Sequence, residues 1–191
     1  MANEPVVFGA TVEGTRKALG RRISPSLAQQ LKALGLDLEH VQIAYPLELW
    51  LEALVVLGDA LASEVSRAER TRHLGRLFVR GFVESGVGLA VFTTARVLGV
   101  RRTLLRTGRN FRTATNYVNA EAQEVGPKEV RIRTWVADEF LPFVTERASA
   151  LVEYRRGVLE EICAVLKTPA VVEVVDARPE RGDVTFRITW P

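Results

Sequence analysis

Val184-Thr185-Phe186-Arg187-Ile188-Thr189-Trp190 alternates apolar and polar side chains without a break. With a side-chain period of two, Val184, Phe186, Ile188 and Trp190 share one face of a strand and Thr185, Arg187 and Thr189 the other, so this strand has a core side and a wet side. Upstream, the turn Arg178-Pro179-Glu180-Arg181-Gly182-Asp183 joins it to a second strand, Val171–Asp176. Before that hairpin, helical spacing of Leu151, Val158, Leu159, Ile162, Cys163 and Leu166 predicts a helix from Thr145 to Lys167, stopped by Pro169. Earlier still, Thr115–Glu124 and Glu129–Val136 read as strands around a Val125-Gly126-Pro127-Lys128 turn. There Val130, Ile132 and Thr134 oppose Arg131, Arg133 and Trp135. Hairpin, helix, hairpin predicts an antiparallel sheet of about four strands with the last helix on one face.

The first half of the chain is helical in pattern. Pro5-Val6-Val7-Phe8 suits a short extended piece, and Thr11 to Gly14 leads into a basic stretch from Arg16 to Arg22. Ser24 is a candidate N-cap with Pro25 at the first helical position, and Gly35 ends that helix. Pro46 opens an apolar helix through Trp50 and Leu61. Ser66-Arg67-Ala68-Glu69 has the spacing of a capping box and starts another, with Leu74, Leu77, Phe78 and Phe82 on its buried face. Arg72, Arg76 and Arg80 form a basic stripe on its other side. The fold class is therefore α+β. A single domain is expected over residues 1–191, with a helical part over about 11–112 and a sheet-plus-helix part over about 113–191.

Composition excludes several classes. At 191 residues with 47% apolar content, the chain has material for one core, and no apolar run reaches the roughly 20 residues that a membrane span needs. A lone cysteine, Cys163, forms no internal disulfide, and Met1-Ala2-Asn3-Glu4-Pro5 is no secretory n-region, so a cytoplasmic location is expected. Net charge is +3, but its distribution is uneven. Between Ser85 and Ala120 there is no Asp, Glu, Lys or His, whereas Arg96, Arg101, Arg102, Arg106, Arg109 and Arg112 all fall there. Without those six arginines the chain would carry −3.

Catalytic constellations are scarce. His40 and His73 have no metal-site spacing, Cys163 lies on an apolar helix face, and no nucleophile elbow or phosphate-binding loop occurs. Glu160-Glu161 read as a solvated face, and Trp50, Phe78, Phe82, Phe92 and Phe111 as packing. The arginine segment invites a functional reading. On a helix, Arg102, Arg106 and Arg109 stack on one side, where they would contact a phosphate, a carboxylate or a protein partner, or pair with acids elsewhere in the chain. A net charge of +3 argues against nucleic acid. Trp135, beside Arg131 and Arg133, either is covered by the last helix or lines a pocket or interface.

The ordered motifs Phe8-Gly9, Val12-Glu13-Gly14, Leu34-Gly35-Leu36-Asp37, Tyr45-Pro46, Leu74-Gly75-Arg76, Arg80-Gly81-Phe82, Arg109–Tyr117, Gly126-Pro127 and Tyr154-Arg155-Arg156-Gly157-Val158-Leu159 resemble a paralogous family of proteins of about this length, expanded in myxobacteria and of unknown function. In topology the chain is also similar to the superfamily of haem-nitric-oxide-binding domains, vinyl-reductase-type ligand domains and transport-particle subunits. That similarity implies a small molecule held between helices and sheet, or an assembly role. The haem-binding signature Tyr-x-Ser-x-Arg is missing, which argues against haem, and no cofactor is expected. The resulting expectation is a non-enzymatic cytoplasmic module that binds a small ligand or a protein partner in signalling or scaffolding. The alternative is an arginine-rich surface for nucleic acid or anionic lipid. Homodimerisation is open to such a module, since soluble oligomers are most often symmetric dimers.

Overall fold

The computed structural model describes residues 4–61, 64–112, 114–143 and 148–191, with the side chains of 108–110 and 148–149 outside the description. A short strand β1 (Val6–Phe8) runs into α1 (Gly9–Leu19), followed by α2 (Pro25–Ala33), β2 (Ala44–Pro46), α3 (Leu47–Leu61), α4 (Arg67–Val83) and α5 (Gly86–Phe111). After these come β3 (Val118–Gly126), β4 (Glu129–Val136), α6 (Ala148–Val165), β5 (Val171–Arg178) and β6 (Asp183–Thr189). The α+β order predicted from the alternating strands is the order observed.

The main sheet has strand order β3-β4-β6-β5, antiparallel throughout. Pairing Ile132 with Phe186 and Val130 with Ile188 sets all four side chains on one face. They are fully buried there against Leu159 and Cys163 of α6 and Leu104 of α5. Burial in that layer pushes the Cys163 thiol up to about 12, so it is an inert packing group. A second sheet, β1 with β2, was not apparent from the sequence. It pairs Val7 with Tyr45, and Val7 also bridges to Thr115, which ties the N-terminus to the entry of the main sheet.

The helical caps follow their residue chemistry. Ser24 accepts from the Leu27 amide at 3.2 Å and Ser66 from the Glu69 amide at 3.3 Å, each satisfying an orphan donor at a helix start. Residues 9–19, read only as a lead into a basic stretch, form a full helix. Pro46 ends β2 rather than opening α3, and β3 begins at Val118 rather than Thr115. The predicted start of α6 at Thr145 lies outside the described residues. Inside α5, Gly99 takes φ 75° and breaks the helix, and the Thr103 hydroxyl donates to carbonyls on both sides of the break, Ala95 at 3.2 Å and Gly99 at 2.8 Å.

At the centre, α4 is clasped between α1 and α6. The backbones approach so closely that a Cβ on Gly75 would overlap the Tyr154 carbonyl, and one on Gly157 the Arg72 carbonyl. Gly81 meets Gly14 on α1 in the same way. This contact corrects the reading of Glu160-Glu161 as a solvated face. Glu160 accepts from Nε of Arg72 and of Arg76 at 2.8 Å each, and Glu161 from Arg80 Nε at 2.8 Å, with side-chain exposures of 12% and 9% for the two acids. Burial alone would raise the Glu160 carboxyl, but the hydrogen bonds from Arg72 and Arg76 outweigh it and hold its pKa below the ordinary value. Among the described residues no single helix is long and apolar enough to cross a membrane.

Candidate functional site

Helix α5 does not close fully onto α4 and α6, and a cavity of about 110 Å3 remains between them and the start of β3. Phe78 and Phe82 of α4, Phe92 and Phe111 of α5, and Val158 of α6 give it apolar walls. Trp50 and Phe78 brace the ring of Tyr154, one edge-on at 6.5 Å between centroids and the other stacked at 6.3 Å. The aromatics expected only to pack therefore also line a space.

Set into this apolar lining are polar groups. The Thr115 hydroxyl, the Tyr154 hydroxyl and Nη2 of Arg155 are buried on residues that line the cavity; the Thr115 hydroxyl and Nη2 have no hydrogen-bond partner among the described residues, and the Tyr154 hydroxyl interacts with Thr15. Arg155 is 3% exposed. Its Nη1 donates to the Thr134 hydroxyl at 3.1 Å and the Gly182 carbonyl at 2.8 Å, which fixes the guanidinium against the sheet edge. Among the described residues no carboxylate forms an ion pair with it. Asp183, whose charge is nearby, gives both oxygens to Arg133 at 3.0 and 2.7 Å. Burial lowers the pKa of Arg155 from its ordinary value, pushes Tyr117 up to about 12 and raises Tyr154 well above 10. At neutral pH the site thus holds two neutral phenols and one cation.

The residues singled out from the sequence lie elsewhere. Arg96, Arg102 and Arg106 are exposed on α5 and take part in no ion pair among the described residues, Arg101 pairs with Glu124, and Arg112 Nη2 donates to Asn119 Oδ1 at 3.4 Å. The side chain of Arg109 is outside the description. Trp135 is half-buried on the sheet face opposite α6, with the Arg133 guanidinium 5.1 Å from its ring centroid, in a shallow groove shared with Asp138, Arg178 and Arg181. Arg131 lies on that outer face, 3.5 Å from Glu129. None of those whose side chains are described lines the cavity. Arg155 was missed as a site residue although its spacing marks it: at 151, 155, 158 and 162 it is the one charge within the apolar stripe of α6.

The family described as "Protein of unknown function (DUF2378)" matches residues 5–191. The chain belongs to the DUF2378 family. A search of curated proteins finds no match. Among solved structures, DUF2378 here is similar to an oxygen-binding H-NOX domain related to soluble guanylate cyclases, in its oxygen complex, at 15% identity and TM-score 0.66 over 95% of this chain and 92% of that one. A structure concerned with haem redox potential and protein-induced porphyrin distortion matches at 16% identity and TM-score 0.66, over 95% and 99% of the two chains. A T. tengcongensis H-NOX variant matches at 14% identity and TM-score 0.63, over 95% and 94%. At such identities the likeness is one of fold, and it bears out the topology inferred from the helix and strand order.

These neighbours overturn the expectation of no cofactor and the argument against haem. A missing sequence signature does not remove haem as an occupant when the fold is that of haem domains. Against this lining, haem finds apolar walls, a buried guanidinium for a carboxylate, and the phenol oxygens of Tyr117 and Tyr154. It finds no imidazole, because His40 is exposed beside Asp37 and His73 lies on α4 outside the cavity. The donors present would suit a phenol-ligated rather than a histidine-ligated haem, and a cavity of about 110 Å3 would have to widen to admit a porphyrin.

Proposed function

We propose that this DUF2378 chain is a small-ligand-binding module that signals its occupancy, with the ligand in the cavity between α4, α5, α6 and the entry to β3. The observation that carries this reading is a pair of unpartnered buried polar atoms, the Thr115 hydroxyl and Arg155 Nη2, on residues that line one apolar cavity. Leaving such a group unsatisfied costs about 1–3 kcal/mol, so two on one cavity lining favour a state in which something else pairs with them. The cavity suits binding better than catalysis, since burial pushes its phenols above their ordinary pKa and a guanidinium keeps its proton, so none is a ready proton carrier. Haem is one occupant that this reading admits.

Native mass spectrometry and an absorption spectrum of purified protein test it, followed by thermal-shift titration with haemin and a panel of small apolar molecules. A bound mass, a Soret band or a saturable rise in Tm is expected, and it should vanish when Val158→Trp fills the cavity. A chain that carries nothing and shifts with no compound, or a Val158→Trp variant that binds as before, overturns the reading.

A further inference from the structure

Arg155 differs from every other arginine described in the molecule. It is 3% exposed, lines the cavity, is anchored through one nitrogen to Thr134 and Gly182, and leaves Nη2 buried without a partner among the described residues. A water could satisfy the open N–H, but it would not offset the charge. Removing a cation from water costs several kcal/mol even after relaxation, and buried charges are ordinarily held by an opposite charge. Asp183, whose charge acts on Arg155, is bound to Arg133 on the outer side of the sheet. Among the described residues no acid is paired with Arg155, which leaves its counter-charge to a ligand.

Resting on the cavity reading above, we infer that the ligand carries a carboxylate, bound by Nη2 of Arg155 with the Thr115 and Tyr154 hydroxyls beside it. Arginine offers a planar fork that suits a carboxylate, the Thr115 hydroxyl is open to donate to it, and the Tyr154 hydroxyl can turn from Thr15 to do the same. The remaining walls are aromatic and aliphatic, so the rest of the ligand is apolar. A volume near 110 Å3, of the same order as the roughly 150 Å3 apolar cavity that holds benzene, points to a short-chain or single-ring monocarboxylic acid. The carboxylates of haem present the same group, and the experiment separates the two sources.

Calorimetric titration of the full chain would compare benzoate and hexanoate with benzamide and hexanamide, and haemin with its dimethyl ester. The expected result is that, within one of these sets, the acid binds at least tenfold more tightly than its neutral counterpart. That preference should fall away in Arg155→Met and survive in part in Arg155→Lys. A preference among the small acids assigns a free acid; a preference for haemin over its ester, with a Soret change, assigns the haem carboxylates. Equal affinity for acid and neutral forms, or a preference unchanged in Arg155→Met, overturns the inference while leaving the cavity reading standing. Failure of every compound in wild type overturns both. The comparison within wild type decides the matter even if Arg155→Met does not fold.

Discussion

Arg72, Arg76 and Arg80 on α4 and Arg96, Arg102 and Arg106 on α5 are alike as sequence, three spaced cations on a helix, yet the protein treats them oppositely. The α4 set is seated on Glu160 and Glu161, two acids shielded between helices, whereas the α5 set points to water. The difference lies in what each helix packs against. Gly75 and Gly157 let α4 and α6 come into backbone contact, which brings acids more than 80 positions away under the α4 arginines. Helix α5 turns Thr103, Thr107 and Phe111 to the cavity and leaves its arginines outside. A charge stripe is therefore read correctly only together with its opposing surface.

Separating α4 from α6 should have the largest effect. In Gly75→Ala and Gly157→Ala the added methyl meets a carbonyl oxygen of the facing helix, and backbone cannot swing aside as a side chain does. We expect each to lose roughly 3 kcal/mol in urea unfolding, at the upper end of overpacking costs. A loss under about 1 kcal/mol would mean that the helices part easily and that the glycines are not what seats the arginines.

Next in size is Glu160→Gln. It leaves Arg72, Arg76 and Arg156 gathered around a neutral amide. Breaking a buried pair costs about 3–5 kcal/mol, and since these arginines are partly exposed we expect about 2 kcal/mol. The acid limb provides an independent check. The Glu160 pKa is lowered in the folded state, so its contribution is present above the unfolded carboxylate value near 4.5 and is lost as pH falls through the lower folded value. Wild type should lose stability over that acid window more steeply than Glu160→Gln. Parallel pH profiles would show that the carboxylate is not what the arginines hold.

These contrasts also mark what was legible in the sequence. Alternation fixed β4 at Glu129–Val136 and the core face of β6, because period two admits one assignment once a face is buried. Ser24 and Ser66 were legible because capping is local. Glu160-Glu161 were misread because their burial depends on a helix crossing set by glycines 82 positions apart, Gly75 and Gly157. The β1–β2 pair escaped notice because three-residue strands are too short to show a period. Arg155 was visible as a charge in an apolar stripe, but its open Nη2 exists only after Thr134 and Gly182 are brought to it from the sheet. The acid-free run of arginines drew attention to α5, whereas the polar groups at the cavity came from separated segments, Thr115, Tyr154 and Arg155.

The smallest effect should come from the α5 arginines themselves. Arg96, Arg102 and Arg106 are exposed and pair with no described acid, so replacing all three by Gln removes little that folding holds. Surface changes of this kind shift stability by no more than about 0.5 kcal/mol each, and Gln is close to Arg in helix propensity. The triple variant should therefore unfold within about 1.5 kcal/mol of wild type. Removing three like charges from one helix should also make its stability less sensitive to salt, since unpaired surface charges are what salt screens. Ligand binding should be unchanged, because the cavity is met by the opposite side of α5. A loss larger than 1.5 kcal/mol, comparable to that of Glu160→Gln, would show that the α5 arginines are held as the α4 arginines are. The contrast between the two helices would then disappear.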